Sequence, residues 1–158
     1  MGDSTFTVQR STTIHASAEQ VFDQITNFHH WRVWSPWEDM DPNLTRTYSG
    51  PEAGTGASYA WSGNRKAGQG NMKITDVDSP RTLRIELVFE KPWKSRNEVL
   101  FSIEPAGDGS HVTWSMTGPR PLMLRLMGFV MSMEKIVGPD FEKGLARLKA
   151  AAEDSTAP

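Results

Sequence analysis

The stretch "IHASAEQVFDQITNFHHWRVWSPW", residues 14–37, changes period three times in 24 positions. It leaves a Thr/Val/Ile-rich run, "FTVQRSTTIHA" (6–16), in which Phe6 and Val8 share one face, as expected of a first strand. Ser17 then stands where a helix N-cap belongs, and Gln20 three residues on completes a capping box. Val21, Phe22 and Ile25 follow at helical spacing, with Asn27 as the stop. A second short helix is expected over 28–33. Trp31, Trp34 and Trp37 close the stretch three residues apart, and Pro36 biases Ser35 toward an extended backbone.

Downstream the period is two. "LTRTYS" (44–49), "GASYAWSG" (56–63), "GQGNMKITDVDS" (68–79), "TLRIELVFE" (82–90), "NEVLFSIEP" (97–105) and "HVTWSMTG" (111–118) read as strands. Val77 needs a one-residue slip to stay on the face of Met72 and Ile74, which predicts a bulge. Short, turn-rich links imply a meander. Alternation implies one covered face, and the only large partner for it is the C-terminal third. In "PLMLRLMGFVMSMEKIVGPDFEKGLARLKAAAE" (121–153), Leu122, Leu126, Phe129, Met133, Ile136, Phe141, Leu145 and Leu148 keep helical spacing. Pro139 predicts a break near 137–139 and should open the last helix. One α+β domain over 1–158 is expected, with an ordered core at 5–152 and a flexible tail at 153–158.

Six Trp, seven Phe and eight Met against two Tyr exceed what close packing requires in 158 residues. The net charge of −2, with no basic block, argues against nucleic-acid binding. There is no cysteine, hence no disulfide or thiolate site, which suits a cytoplasmic protein. No signal-peptide core or membrane-spanning run is present, and Phe6 occupies the position a myristoylation motif needs for Ser or Thr. The four histidines, His15, His29, His30 and His111, show no metal-ligand spacing, and neither a nucleophile elbow nor a phosphate loop occurs. No metal and no cofactor are expected.

The opening segment has the form apolar-x-A-x-x-x-x-V-F-x-x-I-x-[DN]-F-x-x-W-x-x-W-S-P-W, and the chain closes on "GPDFEKGLARLK". Together these resemble the polyketide cyclase/dehydrase-like branch of the START-like (Bet v 1-like, SRPBCC) helix-grip superfamily, over nearly the whole chain. The resemblance implies a seven-stranded antiparallel sheet curved around a long C-terminal helix, two short helices between strands 1 and 2, and a cavity for an apolar ligand. It brings no shared catalytic motif, because the superfamily hosts enzymes, carriers, receptors and co-chaperones.

Candidate wall residues follow from the inward positions. They are Trp34, Trp37, Tyr59, Trp61, Met72, Phe89, Phe101, Trp114 and Met116, with Met123, Met127 and Met131 as a soft stripe at i+4 spacing. Each also has an ordinary core reading, favoured for Trp31 and Trp34 and evenly balanced for Trp37. Trp93 sits in a loop between long strands. Polar groups able to orient a ligand are few: Glu38, Tyr59, Asn64 and Arg65. Glu38, Tyr59 and Arg65 are the candidate proton-moving groups, although pairing of Glu38 with Arg46, Arg65 or Lys73 is the favoured alternative. Asp39 and Asp41 are expected in a solvated turn. The apolar inner face together with the resemblance implies a protein that binds a lipid, polyketide or aromatic metabolite as carrier or sensor, with monomer and homodimer both open. The runner-up is a cyclase/dehydrase-like enzyme, and an interaction module ranks last.

Overall fold

A computed structural model describes residues 5–65, 67–91, 94–119 and 133–154, without the side chains of Asp39 and residues 133–136. The order is β1 (Thr5–Ile14), α1 (Ala18–Ile25), α2 (Trp31–Trp34), a 3-10 turn (Pro36–Asp39), β2 (Thr45–Ser49), β3 (Ser58–Ser62), β4 (Gln69–Asp78), β5 (Thr82–Lys91), β6 (Ser95–Ala106), β7 (Gly109–Pro119) and α3 (Met133–Asp154). The seven strands form one antiparallel sheet in the order β1-β7-β6-β5-β4-β3-β2. Strands β2 to β7 are the predicted meander. β1 and β2 lie at opposite edges, so the segment 15–44 must cross the whole sheet. This is the helix-grip architecture that the opening stretch implies.

The local signals act as read. Ser17 Oγ accepts from the Gln20 amide at 3.2 Å, and Gln20 Oε1 accepts from the Ser17 amide at 3.0 Å. Val21, Phe22 and Ile25 are buried on one face of α1. Ser35 is extended (φ −69°, ψ 126°), and Pro36 opens the 3-10 turn. Thr75 is the extra residue at the β4–β5 register shift between Ile74 and Asp76, where the slip at Val77 was expected. The stop of α1 lies one residue earlier than Asn27, with Thr26 as C-cap.

Trp31 and Trp34 explain why the chain can turn back under the sheet so soon after α1. The indole N–H of Trp31 donates to the Ile25 carbonyl at 2.9 Å, and that of Trp34 donates to the Gln24 carbonyl at 3.0 Å. These carbonyls belong to the last turn of α1, which has no partner for them within the helix. Both rings are buried and pack edge-on against Phe101 and Trp114.

One helix expectation is corrected. α3 is continuous through Pro139, with no break among the described residues. An interior proline removes one hydrogen bond and crowds the carbonyl four residues back. Here the following turns are held from outside, because Phe141, Leu145, Leu148 and Ala152 are buried along one stripe while Pro139 is exposed. Arg10 of β1 adds a tether: its Nε donates to Glu142 Oε2 at 2.8 Å, and its guanidinium lies where a side chain at Gly138 would collide with it. α3 also runs on to Asp154, past the expected end of the core. The Glu153 carboxylate accepts from the His15 amide at 2.8 Å and from Lys149 at 2.6 Å. The part of the helical stripe at 122–129, with the Met123, Met127 and Met131 positions, and Trp93 lie outside the described residues.

Two substitutions rank these contributions. Trp34→Ala should lower unfolding free energy in urea by about 3–5 kcal/mol, from lost burial and an orphaned helix carbonyl. Ser17→Ala should lower it by only about 0.5–2 kcal/mol.

Candidate functional site

A cavity of about 240 Å³ lies between the sheet and α3. Strand register shows how it is built. Tyr59, Met72, Leu87 and Asn97 are successive cross-strand partners on β3, β4, β5 and β6, and all four line the cavity. The adjacent row runs Trp61, Gly70, Phe89, Ser95. Its side-chain-bearing members also line the cavity, whereas Gly70 leaves the space that the Trp61 indole fills, a Cβ there falling 2.7 Å from the ring. Val99 and Met116 are partners in a third lining pair. Trp37 and Glu38 of the 3-10 turn, Phe6 of β1, and Val137 and Phe141 of α3 complete most of the enclosure.

Of the described wall positions singled out in the sequence, Trp37, Tyr59, Trp61, Met72, Phe89, Trp114 and Met116 face this cavity. Trp34 and Phe101 do not. Phe101 pairs across the strands with Leu83 and Trp114, and Trp31 and Trp34 cover it from the α2 side. That end of the sheet is filled, and Trp34 is part of the filling. Trp114 stands at the boundary. It stacks on Phe141 with centroids 4.0 Å apart and planes 7° apart, and Trp37 meets both rings edge-on.

The polar end is a three-residue cluster. Glu38, with 9% of its side chain exposed, accepts from Arg46 Nε at 2.6 Å on Oε1 and from the Tyr59 hydroxyl at 2.8 Å on Oε2. Arg46 is therefore the cation that pairs with Glu38. Arg65 and Lys73 are exposed, and Arg65 does not line the cavity. Asn64 is also outside it: its amide group bonds the Met40 carbonyl and the Ala67 amide, shaping the β3–β4 turn. The expectation for Asp41 is corrected. It is buried, and its carboxylate accepts from the Asn43 and Asn64 amides, both at 2.8 Å, so it braces two loops instead of facing water.

Several lining residues escaped the sequence reading. Asn97 is the informative case. It lies two residues before Val99 in the β6 alternation, so the period already pointed it inward, and only its polarity hid it. Leu87 was legible as apolar and inward, but its place in the cavity required the register. Phe141 was legible as helix core, whereas Val137 lies one residue off the stripe read through Ile136 and was missed.

Burial pushes the Tyr59 hydroxyl well above the usual tyrosine range, reinforced by the neighbouring negative charge of Glu38 and the hydrogen bond to it. Tyr48, beside Tyr59 on β2, is raised by burial first and Glu38 second. These are the two tyrosines of the chain. A tyrosine whose pKa is higher folded than unfolded stabilises the fold below the unfolded value, about 10, and loses that contribution as pH climbs beyond it. Phenolate absorbance should therefore stay low through about pH 10 in the native protein and rise together with alkaline unfolding. Tyr59→Phe should flatten the fall of urea stability above that pH.

The sequence matches the profile of the family described as "Polyketide cyclase / dehydrase and lipid transport" over residues 5–153. No curated protein matches. Among solved structures, protein MLL2253 from Mesorhizobium loti is similar at 20% identity and TM-score 0.66, covering 97% of this chain and 100% of that one. The Aha1 dimer from Colwellia psychrerythraea gives 17% and 0.68, covering 96% and 99%. Ara h 8.0201 gives 14% and 0.58, covering 96% and 97%. At these identities the structures share the fold. With the profile match over most of its length, the chain belongs to the polyketide cyclase/dehydrase and lipid transport family, and it has the helix-grip fold.

Proposed function

We propose that this protein binds a small apolar molecule in the cavity between the sheet and α3, as a carrier or sensor. The observation that carries this reading is the unfilled space itself. Protein interiors are close-packed, and voids beyond the size of a water molecule are few. Here about 240 Å³ stays open among the described residues, beside an aromatic core whose rings stack on one another at its other end. The walls are chiefly Trp, Phe, Met, Leu and Val, which favour an apolar guest over water. The volume lies just below the usual range for drug-sized ligands, roughly 300–1,000 Å³, so a one- or two-ring aromatic or a short aliphatic chain suits it. Burying ~300 Å² of such a ligand favours binding by ~7 kcal/mol before the entropy of association is subtracted.

Native mass spectrometry of the freshly purified protein, followed by organic extraction, should reveal a co-purifying apolar molecule. Leu87→Trp, which fills the centre of the wall, should keep the far-UV circular dichroism of the parent and weaken binding of that molecule at least about tenfold. Equal binding by both proteins would rule the cavity out.

A cyclase/dehydrase reading has one specific observation in its favour. Glu38 and Tyr59 share a hydrogen bond at the cavity wall, where a proton could be relayed to or from a folded substrate. If that pair does the chemistry, replacing Glu38 by Gln and Tyr59 by Phe together should lower turnover of an identified substrate by about 10²–10⁴. Unchanged turnover would leave the binding role alone.

A further inference from the structure

The chemistry of the cavity's polar atoms narrows the ligand class, given the cavity as the binding site. Among the described lining residues Glu38 is the one charged group, and there is no Lys, Arg or His. Arg46 balances the Glu38 charge from outside the lining, with its Nε donating to Oε1 and its Nη2 to the Glu38 carbonyl. The only proton of the Tyr59 hydroxyl is spent on Oε2, so its oxygen has just lone pairs to offer. This end of the cavity is therefore an acceptor.

A second polar spot has the same character. Asn97 is 4% exposed. Its Nδ2 donates to the Leu87 carbonyl at 3.4 Å and to Ser95 Oγ at 3.3 Å. Its Oδ1 accepts from no described residue. The amide is also seated deliberately close to β7, since a side chain on Gly118 would collide with Oδ1. That carbonyl is free to accept from a ligand's donor.

From these two spots we infer that the ligand is a neutral apolar molecule bearing a hydrogen-bond-donating hydroxyl, an alcohol or phenol, and that its carboxylate counterparts are excluded. A hydroxyl can donate to Asn97 Oδ1 or to the Glu38–Tyr59 pair without bringing a charge. A carboxylate is an acceptor only, would face Glu38 in a low-dielectric space, and would find no cation in the described lining. The remaining donors there, the hydroxyls of Ser35 and Ser95 and the indole N–H groups of Trp37 and Trp114, are neutral and do not compensate a buried anion, whereas a ligand hydroxyl can accept from them as well as donate. Rejection of the carboxylate comes from repulsion and an unmet acceptor, which discriminate more strongly than apolar fit does.

The test is calorimetric titration with three matched probes: 2-naphthol, 2-methoxynaphthalene and 2-naphthoate. Near pH ~7 the phenol is neutral and the carboxylate ionised. The wild-type protein should hold 2-naphthol at least about tenfold more tightly than 2-naphthoate, and more tightly than the ether, which cannot donate. Glu38→Gln should narrow the gap to 2-naphthoate, and Leu87→Trp should weaken 2-naphthol. Naphthoate binding as tightly as naphthol to wild type, with both weakened by Leu87→Trp, would overturn the inference and leave the cavity as the ligand site. Binding of none of the three, with no displacement of a hydrophobic dye, would overturn the cavity reading and the inference with it. The wild-type comparison decides the matter even if a variant fails to fold.

Discussion

The stack of Phe141 on Trp114 is the contact on which the helix–sheet interface depends. It joins α3 to the middle of β7 at the van der Waals distance of two aromatic rings. Gly144, one turn further along α3, permits it: a Cβ there would stand 2.9 Å from the Trp114 ring and 3.1 Å from the Pro36 ring. The helix thus rests directly on the indole and on the start of the 3-10 turn. Trp31, Trp34 and Phe101 pack around the same indole from the other side. Offset and edge-on ring pairs of this kind add to burial.

That contact divides the space under the helix. On one side the cross-strand row of Leu83, Phe101 and Trp114 is roofed by two tryptophans and closed. On the other side the rows ending in Asn97 and Ser95 have no equivalent roof among the described residues, and the cavity lies over them. Trp37 stands at the division. Its indole closes on Trp114 and Phe141, and the next residue, Glu38, reaches to Arg46 of β2 and Tyr59 of β3. The turn 36–39 therefore ties the far edge of the sheet to the helix through one aromatic contact and one ion pair. The pair is mostly buried, and its hydrogen bonds satisfy both oxygens of the carboxylate, which is the condition under which such pairs persist inside a protein.

Much of the architecture was legible because it follows from periods and caps. The Ser17–Gln20 box, the alternation of β5 to β7 and the stripe Phe141–Leu145–Leu148 each act over a few residues, and each matches the structure. The bulge at Thr75 was visible as a slip in an otherwise regular pattern. The break at Pro139 was read from the same local rules and is absent, because the packing of the turns after it and the Arg10–Glu142 bridge to β1 outweigh one lost hydrogen bond. Asp41 was misplaced for a related reason. Turn chemistry is shared by solvated and buried carboxylates, and two backbone amides distant in sequence decide between them.

By itself, then, the sequence determined the helix-grip fold, the inward faces of the strands, and the apolar character of the enclosed space. Its affiliation with the family was also readable from the segment 14–37. Only the tertiary structure decided which inward residues line a cavity and which fill a core. Trp34 and Trp37, or Phe101 and Phe89, are alike in type and in period. Phe101 and Phe89 differ in which cross-strand row they enter and in what covers it, and Trp34 packs on Phe101 whereas Trp37 lines the cavity. Register and roof are long-range properties, set by the pairing of strands and the seating of one helix on one indole, and no local pattern encodes them.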